Sequence, residues 1–199
     1  MLIVMSGLPG TGKSALAQAF GREHNTPVLS VDPVEAALWR AGVDRDQPTG
    51  LAAYVVVEAV AADLLDQRQP VVIDAVNDAE EAREQWRRLA DRHGLRPHFV
   101  EVVCSDPVVH RRRLERRVRD LPGFPEPTWE SVQARRSGFA DWSDERLVVD
   151  TVQPLEHNVW LMHEHLTGGQ TARVRERARR IAQKDAGLLR RLAEWPKEE

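Results

Sequence analysis

Short apolar runs alternate along this chain with longer segments in which apolar residues recur every three or four positions. The runs at residues 2–5, 27–32, 70–74, 97–104 and 146–151 are rich in valine, leucine and isoleucine and predict buried strands. Segments with helical spacing fall between them. Helices are expected from about residue 13, after Pro33, and over 51–67, 79–93, 106–120 and 155–166, with one more capped by Thr128 and carrying Trp129, Val132 and Phe139. Pro33 suits the first turn of its helix, Trp86 and Leu89 lie three apart on one face of theirs, and Gly94 follows as a stop. Regular alternation of strand and helix predicts an α/β fold with a parallel sheet covered on both faces.

Two stretches read as loops. Residues 44–50 are polar, and residues 121–127 hold three prolines and a glycine, which forbid regular structure. From Gly168 onward the composition turns to arginine and alanine. Ile181, Leu188, Leu189, Leu192 and Trp195 supply an apolar side, so a helical extension packed on the core is expected there. An oligomer contact or an anion-facing surface is the alternative for it. The domain reading is a core over residues 1–167 and an extension over 168–199.

A chain of 199 residues suits one α/β domain with helical additions. A net charge of −3 argues against a generally basic nucleic-acid binder, although a local basic groove would survive that average. The single cysteine, Cys104, excludes an internal disulfide and ends an apolar strand, so it reads as a small buried hydrophobe. No run approaches the roughly 18 apolar residues that span a membrane. The apolar start lacks a basic flank, and a cytoplasmic location is the expectation.

The chemistry begins between the first strand and the first helix. Gly7-Leu8-Pro9-Gly10-Thr11-Gly12-Lys13-Ser14 has the glycine spacing and the terminal Lys-Ser of a phosphate-binding loop. Glycines let the backbone wrap an anion so that several N–H groups converge on it, and the helix start adds its own unpaired N–H groups and positive dipole end. Lys13 is expected to reach the outer phosphates of a nucleoside triphosphate, and the Ser14 hydroxyl to ligate a magnesium ion. Pro9 and Thr11 occupy free positions of the pattern.

Ligands of open parallel sheets collect at the carboxyl ends of the strands, where Asp32 and Asp74 each close a run. Phosphoryl transfer to a hydroxyl needs a carboxylate to take the proton and cations over the transferring oxygens. Asp32 is the choice for the base, with a helix-capping role as its alternative. Asp74 stays open between holding a magnesium-bound water, holding the acceptor, and capping the following turn. In the arginine-dense segment, Arg113 and Arg117 lie four apart and are expected to share a helix face over the phosphates, whereas Arg111, Arg112 and Arg119 read as solvated. His157, His163 and His165 lack the spacing of a zinc site. The tryptophans read as packing residues, with Trp39 or Trp129 able to stack on a flat ligand. Tyr54, Arg135 and Arg136 are further candidates for the acceptor pocket.

With these motifs in order, the chain resembles the small phosphate-loop kinases of the AAA_33-type group, which includes the kinase domain of phage polynucleotide kinase, gluconate and shikimate kinases, and chloramphenicol phosphotransferase. The resemblance covers roughly residues 1–152. It implies a five-stranded parallel sheet in the order 2-3-1-4-5 and a lid after the fourth strand. It also implies ATP and Mg2+ as cofactors, Lys13 and Ser14 as phosphate and magnesium residues, Asp32 as the base, Arg117 as a lid arginine, and Asp74 as an acid on the acceptor side. The chain departs from the group at two places. Glu35 stands where the polynucleotide kinase has an arginine for an acceptor phosphate, and Val76 stands where an asparagine is usual, with Asn77 one place later. A glutamate there repels an anion and favours a neutral or cationic hydroxyl acceptor, although Arg40, a turn further on, could substitute.

The leading expectation is therefore an ATP- and magnesium-dependent kinase acting on a hydroxyl of a small molecule: a metabolite, nucleoside or antibiotic. A polynucleotide 5′-hydroxyl kinase is the alternative within enzymes, and an ATP-binding sensor the alternative outside them. No Asn-Lys-x-Asp sequence points to guanine recognition. The sequence sets no oligomeric state.

Overall fold

A computed structural model describes residues 1–117 and 126–168 of the chain. The five expected strands are present as β1 (Leu2–Ser6), β2 (Val28–Ser30), β3 (Val71–Asp74), β4 (Pro97–Val103) and β5 (Arg146–Asp150). They form one parallel sheet in the order β2-β3-β1-β4-β5, as the resemblance implied. Central β1 pairs on one side with β3, Met5 opposite Asp74, and on the other with β4, Ser6 opposite Glu101. Every residue of β1 is buried. Because successive side chains point to opposite faces, a strand buried at both parities must be covered on both.

The helices are α1 (Lys13–Glu23), α2 (Val31–Arg40), α3 (Thr49–Asp66), α4 (Glu80–Arg92), α5 (Pro107–Glu115) and α6 (Trp129–Ala134), then a 3-10 turn at Arg135–Phe139. Residues 155–168 are helical as well, those up to 162 (α7) belonging to the unit Met1–Met162 that contains the sheet. On α3, Ala53, Val57, Ala61 and Leu65 recur every four residues and are buried, packing with Leu2, Val4, Val71 and Ile73 of the sheet and with Trp86 and Leu89 of α4. Cys104 is buried as a small hydrophobe. Trp86 and Trp142 are core residues, but Trp160 is more than half exposed and departs from the packing role expected of it.

Several boundaries differ from the sequence reading. The second strand stops at Ser30, and Asp32 lies in the first turn of α2, not at a strand end. Pro33 explains the shift: its fixed φ and missing N–H are tolerated in a first helical turn, so the helix starts before it and takes up Val31 and Asp32. Helix α5 ends at Glu115, so Arg113 is helical while Arg117 lies past the C-cap residue Arg116. The segment expected as one helix around Trp129 to Phe139 breaks into α6 and the 3-10 turn, near Gly138. Thr128 caps α6 as expected, its hydroxyl accepting from Ser131 N. Most of the proline-rich loop at 121–127, Arg119, and the extension from residue 169 on, with Trp195, lie outside the described residues. No described helix is long and apolar enough to cross a membrane.

Candidate functional site

The phosphate loop leaves β1 at Ser6 and enters α1 at Lys13. Gly7 has φ 146°, and a Cβ there would stand 2.3 Å from the Val102 carbonyl oxygen, so only glycine lets the loop pass this close to β4. Gly12 is the N-cap of α1 in the left-handed conformation, with φ 93°, which turns the chain so that the first N–H groups of the helix face the loop. Thr11, at a free position of the pattern, is buried, and its hydroxyl donates to the Leu8 carbonyl at 2.9 Å. Leu8 itself packs on Leu114 and Val132.

Two hydrogen bonds brace this loop from outside, each backed by a further side chain and neither anticipated from sequence. His110 of α5 donates Nε2–H to the Pro9 carbonyl at 2.8 Å, because a carbonyl can only accept. The imidazole is buried, and burial is the main reason that its pKa lies below the ordinary histidine value. Trp129 packs edge-on against His110 with ring centroids 5.1 Å apart, so it supports the loop. On the other side the Thr151 hydroxyl donates to the Thr11 carbonyl at 2.5 Å. Arg113 in turn donates to Thr151, Nη1 to its hydroxyl at 2.8 Å and Nη2 to its carbonyl at 2.9 Å.

Strand β3 delivers Asp74 beside the loop because it pairs directly with β1. The carboxylate is almost wholly buried, with Lys13 Nζ 2.5 Å from Oδ1 and the Ser30 hydroxyl donating to Oδ2 at 3.0 Å. Burial pushes its pKa up. The Lys13 charge and hydrogen bonds from Lys13, Ser14 and Ser30 outweigh that and hold it below the usual carboxylate range. Ser14 and Asp74 thus place a hydroxyl and an ionised carboxylate together at the start of α1. These are hard oxygen donors of the kind that hold Mg2+ alongside phosphate oxygens and waters. Among the described residues no cluster of three or more His, Cys, Asp or Glu forms a separate metal site.

Across the opening, Arg117 Nη2 lies 3.9 Å from Asp32 Oδ2, both side chains partly exposed. Asp32 is not the cap of α2, a position that Ser30 occupies. Glu35 points to α3: the Thr49 hydroxyl donates to Oε1 at 2.9 Å and itself accepts from Trp39 Nε1 at 2.9 Å, tying the two helices together. A cleft of about 680 Å³ is lined by residues 8–10 and 12–15 of the phosphate loop, by Arg113 and Arg117, and by residues 151–155 with Asn158. Arg113 and Arg117 therefore meet the same space, but Arg113 is engaged with Thr151 and Arg117 with Asp32. Farther along, Arg135 clasps Asp78, a pairing for which the sequence offered no spacing signal because 57 positions separate the two residues. Arg111 pairs with Glu115 on the exposed face, as a solvated residue should.

Comparison with known proteins agrees with this anatomy. A protein of Mycobacterium tuberculosis, the uncharacterized protein Rv2004c, is 32% identical over 170 residues, covering 79% of this chain and 33% of its own length. The chain thus spans about a third of that relative. Among solved structures, a kinase-like protein of Chloroflexus aurantiacus superposes with a TM-score of 0.66 at 22% identity, covering 84% of this chain and 96% of the other. A gluconokinase from Sinorhizobium meliloti 1021 gives a TM-score of 0.54 at 20% identity, covering 79% and 86%. A sugar kinase from Janibacter sp. HTCC2649 gives 0.59 at 15%, covering 80% and 90%. At these identities the likeness is one of fold, that of small phosphate-loop kinases. The family model for the AAA_33 AAA domain matches residues 2–139, which hold the loop, Asp32, Asp74 and Arg117, and the chain belongs to that family.

Proposed function

We propose that the chain is an ATP- and magnesium-dependent phosphotransferase that moves the γ-phosphoryl group of ATP to a hydroxyl of a small molecule. One observation carries this reading beyond nucleotide binding: Asp32 and Arg117 face each other at 3.9 Å beside the phosphate loop, a carboxylate and a cation on either side of one opening. A protein that only held nucleotide could use the cation on the phosphates but has no need of the carboxylate, which repels them.

In this reading the triphosphate lies along residues 7–14, with main-chain N–H groups and the α1 terminus on its oxygens. Lys13, oriented by Asp74, places its ammonium on the outer phosphates. Ser14 and Asp74 would hold the magnesium ion, whose charge neutralises the phosphate oxygens. The nucleoside occupies the cleft that Arg113 and residues 151–155 line together. The acceptor hydroxyl lies beside Asp32 and attacks the γ-phosphorus in line. Its oxygen forms the new P–O bond, the bond to the β–γ bridging oxygen breaks, and ADP leaves with that electron pair. The hydroxyl proton passes to Asp32, and Arg117, moving from Asp32 to the transferring oxygens, steadies the developing charge. The gluconokinase and sugar kinase among the structural neighbours support a small hydroxylated acceptor.

The test is ADP formation from Mg-ATP over a panel of hydroxylated metabolites, nucleosides and antibiotics, with calorimetry of nucleotide binding alongside. Turnover stimulated by an acceptor and lost in Asp32→Ala supports the reading. Nucleotide binding with no acceptor-dependent turnover, or turnover indifferent to Asp32→Ala, overturns it.

A further inference from the structure

On the Asp32 side of the cleft the fold builds a second rigid element. Arg135 grips Asp78 with two parallel bonds, Nε to Oδ2 at 2.6 Å and Nη2 to Oδ1 at 3.0 Å. Both residues sit on backbone that is pinned in place. The buried Arg83 guanidinium donates through Nη1 to the carbonyls of Asn77, Asp78 and Gly138, which locks the loop after β3 to the 3-10 turn carrying Arg135. Gly138 fits so closely that a Cβ there would lie 2.6 Å from the Asp78 carbonyl oxygen. Asn77 is fully buried at φ 54°, with its amide donating to the Met5 carbonyl at 2.8 Å and accepting from Trp86 Nε1 at 2.9 Å.

Tyr54 of α3 meets the same loop and packs near Trp86, with ring centroids 5.9 Å apart. Its hydroxyl accepts from Asn77 N at 3.4 Å, and the phenol lies within the fields of Asp78, Arg135 and Asp32. Burial, the largest cause, pushes its pKa above the ordinary value, so it stays an O–H donor. Arg135 likewise feels Tyr54 and Asp32. Tyr54, Asp78 and Arg135 are therefore grouped through Asn77 and the Asp78–Arg135 pair, with Asp32 and its neighbour Arg117 close enough to act on them electrostatically.

We propose that the Asp78–Arg135 pair, with the Tyr54 hydroxyl, is the acceptor-recognition surface, and that the acceptor is an uncharged polyhydroxylated small molecule of the sugar or polyol class. The inference rests on the phosphotransferase reading and adds the substrate class to it. Each Asp78 oxygen spends one lone pair on Arg135 and keeps another to accept from a hydroxyl, while Arg135 keeps Nη1 to donate to a substrate oxygen. Adjacent acceptor and donor atoms in one plane match hydroxyls on neighbouring carbons. Charge completes the argument: Arg117 faces Asp32 as Arg135 faces Asp78. An anionic acceptor meets two carboxylates and a cationic one meets two guanidiniums, each at a desolvation cost that a neutral hydroxyl avoids.

The experiment measures phosphoryl transfer from Mg-ATP to matched acceptors: neutral sugars and polyols, their carboxylate and phosphate derivatives, and amino sugars. A neutral compound is expected to lead in kcat/KM by about tenfold or more over its charged counterparts. Asp78→Asn is expected to raise the KM of that acceptor by about tenfold, with kcat within about threefold and Mg-ATP affinity unchanged. If that variant unfolds, Arg135→Gln carries the same expectation. A charged acceptor in the lead overturns the inference, as does an unchanged KM in the folded variants. So does failure of every neutral polyol while Mg-ATP still binds. Failure to bind Mg-ATP at all strikes the phosphotransferase reading instead.

Discussion

Lys13 Nζ and Asp74 Oδ1 stand 2.5 Å apart, each side chain almost closed to solvent, so the phosphate-loop cation and the last residue of the neighbouring strand form a single buried ion pair. Removing one partner leaves the other charge stranded. Lys13→Ala is expected to cost about 3 kcal/mol of folding stability, at the lower end for a broken buried pair because Ser14 and Ser30 still bond the carboxylate. Urea unfolding at pH 7 checks this, and a loss below about 0.5 kcal/mol would contradict it.

The same pair fixes a sign in acid. Asp74 has a folded-state pKa below its unfolded value, so its contribution is fully present above the ordinary carboxylate range and is lost as the pH falls through the lower folded value. Without Lys13, burial dominates and raises the carboxyl instead. Lys13→Ala should therefore narrow its stability deficit as the pH falls from 7 toward about 4. Chemical unfolding of both proteins across that range checks it, and parallel profiles would refute it.

Thr151 joins the cleft wall at residues 151–155 to the phosphate loop through its bond to the Thr11 carbonyl, and Arg113 holds it there. Thr151→Val keeps the β-branched shape but drops the donor, leaving a buried carbonyl unpaired. Mg-ATP affinity is expected to fall by about tenfold, near 1.4 kcal/mol. Calorimetry decides it, with an unchanged Kd as the contrary result.

How much of this was legible in sequence follows from the range of the interactions concerned. Strand β1 and the loop after it are local patterns of apolar residues and glycines, and they stand where expected. The 2-3-1-4-5 order followed from the family resemblance carried by those motifs, not from hydrophobic periodicity. Asp32 was placed one element too early because Pro33 reads equally as the residue after a strand and as the third of a helix. Arg113 and Arg117 were expected to work together, yet α5 ends between them and Thr151, 38 positions away from Arg113, claims that arginine. Asp78 with Arg135, and His110 with Pro9, are tertiary meetings without a local signal. Tyr54 and Arg135 could be suspected only as polar residues near the cleft.

Asp32 and Arg117 should show unequal effects. Asp32→Asn keeps the shape and removes the proton acceptor, so kcat is expected to fall by about 10²–10⁴-fold with Mg-ATP affinity nearly unchanged. Arg117→Gln should lower kcat and kcat/KM together, because its charge is engaged with the transferring oxygens. Steady-state kinetics with an identified acceptor separates the two, and equal losses in nucleotide affinity would contradict both roles.

His110 supplies the last test, since a buried histidine that braces the phosphate loop must stay neutral to remain there. Its folded pKa is lowered chiefly by burial; the bond to the Pro9 carbonyl opposes the shift, and Arg136 and Arg113 add to it. A pKa below the unfolded value means that its contribution is present above the ordinary histidine range and drains away as the pH falls through the folded value. Stability should therefore decline as the pH drops below about 6.5, where the unfolded chain begins to take up the proton. His110→Gln retains an N–H for the Pro9 carbonyl but cannot titrate. The variant should start less stable at pH 7.5, through lost packing against Trp129, and show a shallower decline toward pH 5. Unfolding midpoints at four or five pH values measure both slopes, and identical slopes would mean that His110 takes no part in the acid response.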